Sequence, residues 1–124
     1  MQYVSLGKSG LQVSKICLGT MGYGDPQWRE WTVEEATARP IVCHAIEQGV
    51  NFFDTANLYS RGKTENFIGK VLREQLRRDQ YVIATKAYFP TGDSPNERGL
   101  SRKHLFAAVE ASLKRLGVDY IDLF

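Results

Sequence analysis

The feature that most constrains this chain is its alternation. Short β-prone apolar runs are each followed by an amphipathic helical stretch, and the core strands begin near residues 15, 50, 81 and 120. A period of roughly 30 to 40 residues is that of a βα unit. Strands that alternate with helices imply a parallel sheet joined by right-handed crossovers. The start of the chain differs. Tyr3-Val4-Ser5-Leu6 and Leu11-Gln12-Val13 flank Gly7-Lys8-Ser9-Gly10 and read as a β-hairpin.

The strands are expected at Ser14–Thr20, Val50–Asp54, Tyr81–Lys86 and Asp119–Phe124. The first helix is expected from about Arg39 to Gln48, because Pro40 suits a first turn and not an interior. Its apolar face would be Ile41, Val42, Ala45 and Ile46, and Thr32 with Glu35 resembles a capping box. Thr64 is expected to cap the second helix, with Phe67, Ile68, Val71, Leu72 and Leu76 facing inward and Arg73, Arg77 and Arg78 solvated at its end. Ser101 is expected to cap the third, with Leu105, Val109, Leu113 and Leu116 as its face.

Two architectures fit this pattern, a doubly wound sheet and part of a (β/α)8 barrel. The glycines of Gly19-Thr20-Met21-Gly22-Tyr23-Gly24 lead into Asp25-Pro26 and not into a helix, which argues against a dinucleotide-binding phosphate loop.

Composition narrows the function classes. A net charge of +2, from 16 basic and 14 acidic residues without a clustered basic run, gives no reason to expect a nucleic-acid partner. No apolar run reaches the roughly 18 residues of a membrane span, and the N-terminus has no apolar signal core. A soluble, cytoplasmic protein is expected. Cys17 and Cys43 lie among apolar neighbours and are expected to be small buried hydrophobes; with no CxxC, no metal site is expected.

In parallel α/β folds functional groups collect at the C-terminal ends of strands. Here the second strand ends in Asp54, Tyr59 follows five residues later, and the third strand ends in Lys86. A charge closing an apolar strand needs a partner, and Asp54 and Lys86 end consecutive strands. A phenol beside an ammonium gives up its proton more readily, so Tyr59 would serve as a general acid toward a developing alkoxide. The competing reading makes Asp54 a loop cap, Tyr59 a surface aromatic and Lys86 a solvated strand end. The loop from Ala87 to Gly99 either lines a substrate pocket or merely connects, and Trp28 and Trp31 either stack on substrate or cover the barrel rim.

Taken together, these residues resemble the aldo-keto reductase family. Leu6–Ser14 resembles its N-terminal hairpin, Gly19-Thr20-Met21 its first-strand exit, and Gly49–Tyr59 its aspartate–tyrosine signature. Ala84-Thr85-Lys86 matches its lysine motif, and Ser112–Leu123 resembles the run before its catalytic histidine. Met21–Trp28 and Tyr88-Phe89-Pro90 look like the fungal branch of versiconal hemiacetal acetate reductases and aryl-alcohol dehydrogenase-like enzymes.

The resemblance implies an α/β fold, a partial (β/α)8 TIM barrel made of the hairpin, about four parallel strands and three helices. It implies NADPH-dependent reduction of an aldehyde or ketone, with Asp54, Tyr59 and Lys86 catalytic and Gly19, Thr20, Met21 and Asp54 at the cofactor. It also implies that residues 1–124 are the N-terminal half of such a barrel, cut at the end of the fourth strand. The family histidine would lie about three positions further on, and His104 is expected to be a solvated or capping residue and not its substitute. On that reading the chain alone is inactive. The alternative is a non-catalytic interaction module, or a half-barrel that self-associates through open sheet edges.

Overall fold

The computed structural model describes residues 1–124. The expected hairpin opens it: β1 (Tyr3–Ser5) pairs antiparallel with β2 (Gln12–Ser14), Val4 opposite Val13. Gly7 and Gly10 bound the turn at φ of +58° and +79°, a region open to glycine at little cost. Asn51, just before the second core strand, fastens the hairpin to the sheet. Its side-chain oxygen accepts from the Ser14 N–H at 2.7 Å, and its amide nitrogen donates to the Gln12 carbonyl at 3.2 Å. The hairpin therefore sits at the N-terminal ends of the strands, away from the ends where chemistry is expected.

Three parallel strands follow in sequential order: β3 (Cys17–Gly19), β4 (Phe52–Asp54) and β5 (Val82–Ala84). Their register sets Gly19, Asp54 and Ala84 level with one another. Order that runs on without doubling back is the winding of a barrel wall; a doubly wound sheet reverses at its switch point. Helices α1 (Glu35–Glu47), α2 (Lys63–Gln75) and α3 (Arg102–Leu116) pack outside. Val42, Phe53, Ile68, Leu72, Ile83 and Leu116 are wholly buried between them. Each such side chain contributes roughly 1.5–3 kcal/mol by leaving water.

Several local expectations are corrected. Helix α1 starts four residues earlier than its proline suggested, with Pro40 in its second turn. Proline removes the N–H that would meet the Ala36 carbonyl. Both residues are exposed, so solvent can satisfy that carbonyl. The inward face is Ala38, Val42, Ala45 and Ile46, while Ile41 is exposed. Neither threonine caps its helix. Glu34 and Gly62 precede α1 and α2 without a side-chain bond, and the Thr64 hydroxyl instead donates to the Tyr23 carbonyl at 2.6 Å.

The helix α3 cap is as expected: the Ser101 hydroxyl accepts from the His104 N–H at 3.1 Å. Of the expected face only Leu116 is fully buried, Leu105, Val109 and Leu113 being half-buried; the buried row of α3 is His104, Ala108, Ser112 and Leu116. Small residues there let α3 approach α2 closely. A Cβ on Gly69 of α2 would lie 2.2 Å from the Leu116 carbonyl oxygen.

At the sheet edge β3 is more open than its apolar sequence suggested, and Cys17 is exposed, with Cys43 intermediate. Residues 119–124 run beside β5 but form one bridge, Ala84 with Leu123, and not a full strand. Asp122 accounts for this. Its carboxylate accepts from the Ile83 N–H at 2.8 Å and from the Arg78 guanidinium at 2.6 Å, taking the place of one backbone acceptor, while the Thr85 N–H still donates to the Leu123 carbonyl and the Asp122 N–H to the Ile83 carbonyl. Arg78 is correspondingly not solvated; it lies over the rings of Tyr120 and Tyr81, 3.7 Å and 4.7 Å from their centroids. Arg73 likewise reaches across to the Leu116 carbonyl.

Candidate active site

The backbone ladder continues past the named strands at their C-terminal ends. The Thr55 N–H donates to Ala84 and the Asn57 N–H to Lys86, at 2.9 Å and 3.1 Å. This carries Lys86 out beyond the sheet directly beside Asp54. Its Nζ donates to both Asp54 oxygens, at 2.8 Å and 3.0 Å, and to the Thr55 carbonyl at 2.6 Å. These contacts, to one carboxylate and one carbonyl, fix an otherwise flexible chain. Both charges are 38–49% exposed, so the pair contributes at most about 1 kcal/mol to stability. Its consequence is positional.

Lys86 Nζ lies 5.1 Å from the centroid of the Tyr59 ring. Sequence reasoning linked Asp54, Tyr59 and Lys86, and the structure brings these three together. Tyr59 begins a tight 3₁₀ turn, Tyr59–Gly62, in which Ser60 and Arg61 take φ of 47° and 54°. Two successive non-glycine residues in the left-handed region cost of order 1–2 kcal/mol each, and surrounding contacts hold them there. The buried Ser60 hydroxyl accepts from the Asp25 N–H at 3.0 Å and donates weakly to the Tyr23 carbonyl at 3.4 Å. Asp25 in turn accepts from Lys63 at 2.5 Å. That bond, joined by one from the Gln27 N–H, holds the Asp25 carboxyl below the usual carboxylate range. Burial pushes the Tyr23 phenol up.

A cavity of about 410 Å³ opens over Tyr59 and Lys86. Met21, Trp28, Tyr88 and Phe89 make its walls largely apolar. The first residues of the 87–99 loop therefore line it, as does Trp28, whose ring centroid is 6.3 Å from that of Tyr59. Trp31 instead backs Trp28 edge-on at 5.8 Å. A largely apolar chamber that gathers the Tyr59 phenol, the Lys86 ammonium and a few further polar groups, Arg29 and Tyr88 among them, suits a small organic molecule.

The first-strand residues are placed as follows. Gly19 is exposed and borders open space where a Cβ would stand. Thr20 is buried, its hydroxyl donating to the Asp54 carbonyl at 2.8 Å, so it supports Asp54 from behind. Met21 is exposed on the cavity wall. Partial desolvation, then the negative charge of Asp54, push the Cys17 thiol up, while Lys86 pulls it down. His104, expected to be solvated or capping, has a buried side chain with its Nε2 unpartnered, while its backbone N–H joins the Ser101 cap.

Sequence reasoning missed a second ionic group behind Lys86. Glu65, wholly buried on α2, accepts from the Arg115 Nε at 2.5 Å and from the Thr85 hydroxyl at 2.7 Å. Thr85 immediately precedes Lys86, so this cluster fixes the exit of β5. One signal was available: Glu65 occupies the same helical stripe as Ile68, Gly69 and Leu72, at i, i+3, i+4 and i+7.

A parallel wall in barrel order, carrying a tyrosine and an aspartate-held lysine at its C-terminal rim under an apolar chamber, defines the class as a barrel-type α/β protein with its polar cluster at the strand ends. The aldo/keto reductase family model matches residues 15–124. The chain is 43% identical to versiconal hemiacetal acetate reductase of Aspergillus parasiticus, over 99% of this chain and 41% of that protein. It is 41% identical to a putative aryl-alcohol dehydrogenase of Saccharomyces cerevisiae, again over 99% and 41%. It is 44% identical to an uncharacterized oxidoreductase of Bacillus subtilis, over 100% and 39%. The chain belongs to the aldo/keto reductase family, and it spans about two-fifths of the length of the curated relatives it matches.

Proposed function

We propose that this chain supplies the proton-delivering part of an NADPH-dependent reductase that converts an aldehyde or ketone to an alcohol. The observation that carries the reading is the triply anchored Lys86 ammonium, 5.1 Å from the Tyr59 ring at the floor of an apolar chamber. As hydride reaches a carbonyl carbon, negative charge grows on the oxygen. Tyr59 O–H is the group that protonates that oxygen. Lys86 stabilises the phenolate left behind, and Asp54 keeps Lys86 in place. A positioned general acid of this kind contributes about 10²–10⁴-fold in rate.

The residues at the first-strand exit fit a flat nicotinamide end. Gly19 leaves open space and Met21 offers an apolar surface, while the Thr20 side chain is already bound to Asp54. When bound there, NADPH supplies the hydride. Neither histidine of the chain lines the chamber, so the group that polarises the carbonyl from the other side comes from elsewhere in the protein. Residues 1–124 thus correspond to the first units of the barrel.

The test is a segment exchange. Residues 1–124 replace the matching stretch of the Aspergillus parasiticus relative. The hybrid is expected to oxidise NADPH in the presence of an aromatic aldehyde. A hybrid that folds and binds NADPH yet turns nothing over would contradict the reading. A second reading, a self-associating half-barrel, draws on one observation: β3 has a free outer edge, and Ile16 beside it is 59% exposed. Light scattering decides it, since a monomer at high concentration excludes self-association.

A further inference from the structure

We propose that the substrate carries an anionic group, a carboxylate, distal to its carbonyl, and that Arg29 and Arg61 receive it in a second cavity beside the Tyr59 chamber. This cavity measures about 530 Å³. It shares Trp28, Arg29, Asn57 and Leu58 with the chamber over Tyr59, so one molecule can occupy both. The two differ in chemistry. The chamber at Tyr59 is walled mostly by apolar residues, whereas the second cavity is polar and brings together Arg29, Arg61 and Arg115.

The charges do not cancel. Arg115 is balanced by the buried Glu65. Arg29 and Arg61 take part in no ion pair within the chain, and Asp93, also in the wall, offsets one of them. A net positive charge remains. Arg29 lies over the Trp28 ring, 5.2 Å from its centroid, which orients its guanidinium along the boundary of the two cavities. Arg61 is placed there by a strained turn that surrounding contacts maintain. Its φ of 54° and that of Ser60, 47°, are unfavourable for residues with a Cβ, and they bring a guanidinium to the cavity two residues after Tyr59. Strain kept beside a reactive group points to use. A planar guanidinium matches a carboxylate through paired N–H donors.

The carbonyl part of this proposal rests on the reductase reading; the anion part does not. The test is therefore binding to the 124-residue chain without cofactor, read from the ¹⁵N shifts of the Trp28 indole and the Arg61 backbone. 4-Formylbenzoate is expected to bind about tenfold more tightly than its uncharged methyl ester, as one well-placed charge-assisted pair gives. The preference should shrink with added salt and vanish in Arg61→Gly and in Arg29→Ala. Glycine suits the left-handed backbone at 61, so that variant keeps its fold, and an otherwise unchanged spectrum verifies it. Benzoate, which has no carbonyl to reduce, should show the same arginine dependence even if the reductase reading fails. Equal affinity for acid and ester, a preference that survives both variants, or no saturable binding of the acid would overturn the proposal. So would Arg61-dependent displacement by adenosine 2′,5′-bisphosphate, which would assign the cavity to the cofactor's phosphates.

Discussion

At the scale of single residues, the two ionic groups of the site differ in kind. Asp54 and Lys86 are half-exposed, and their pairing positions an ammonium. Glu65 is wholly buried, and its partner Arg115 is 26% exposed in its side chain. Removing one member of a buried pair leaves the other uncompensated, which costs roughly 3–5 kcal/mol when both are fully buried. Residual exposure of Arg115 lowers that figure. Glu65→Ala is expected to destabilise the chain by about 3 kcal/mol in urea unfolding, and a loss below about 0.5 kcal/mol would show that the pair is no more than a surface contact. Asp54, Tyr59 and Lys86 were legible in the sequence because strand ends are where charge is unexpected. Glu65 was not, because a glutamate in a helix reads as solvated until its stripe is traced. The buried state of His104 and the openness of Cys17 were hidden for a related reason. Both depend on which neighbour lies opposite, and a local pattern does not contain that.

At the scale of elements, the order of hairpin, strands and helices followed from periodicity, while the ends and faces of the helices did not. Pro40 was weighed as unsuited to a helix interior, yet the carbonyl in front of it is exposed, so water can replace the lost hydrogen bond. The α3 face shows the same limit. Leucine spacing predicts one stripe, but α2 selects the neighbouring stripe of small residues because Gly69 admits the α3 backbone there. Propensity alone favours Gly69→Ala by about 0.5–1 kcal/mol, since glycine is a poor helix interior. Steric contact opposes it: a Cβ at 2.2 Å from the Leu116 oxygen meets backbone, which does not rotate away. The clash wins, because overpacking costs typically 1–3 kcal/mol and here the obstacle is rigid. Gly69→Ala should therefore lower the thermal midpoint. An unchanged or raised midpoint would show that α3 slides outward freely.

At the scale of the whole molecule, the chain builds one wall of a barrel and the site stands on its rim. The sequence made this legible through family motifs more than through physics, since alternation alone left two architectures open. Strand order, with β3, β4 and β5 adjacent in turn and Leu123 bridging to Ala84, agrees with a barrel wall, and the family match settled the choice. The second cavity, with Arg29 and Arg61, was not legible, because it is assembled from loops of three different βα units. With no histidine in the chamber, the 124-residue chain is expected to show little or no NADPH-dependent turnover of aromatic aldehydes; efficient turnover at the expected mass would contradict this. The central claim is narrower, that Tyr59 delivers the proton. Its most direct measurement is Tyr59→Phe in the hybrid with the Aspergillus parasiticus relative, with kcat and NADPH affinity read side by side. Tyr59→Phe is expected to lower kcat by at least about 100-fold and to leave NADPH affinity within about twofold. A kcat within about twofold of the unsubstituted hybrid would show that the proton comes from another group.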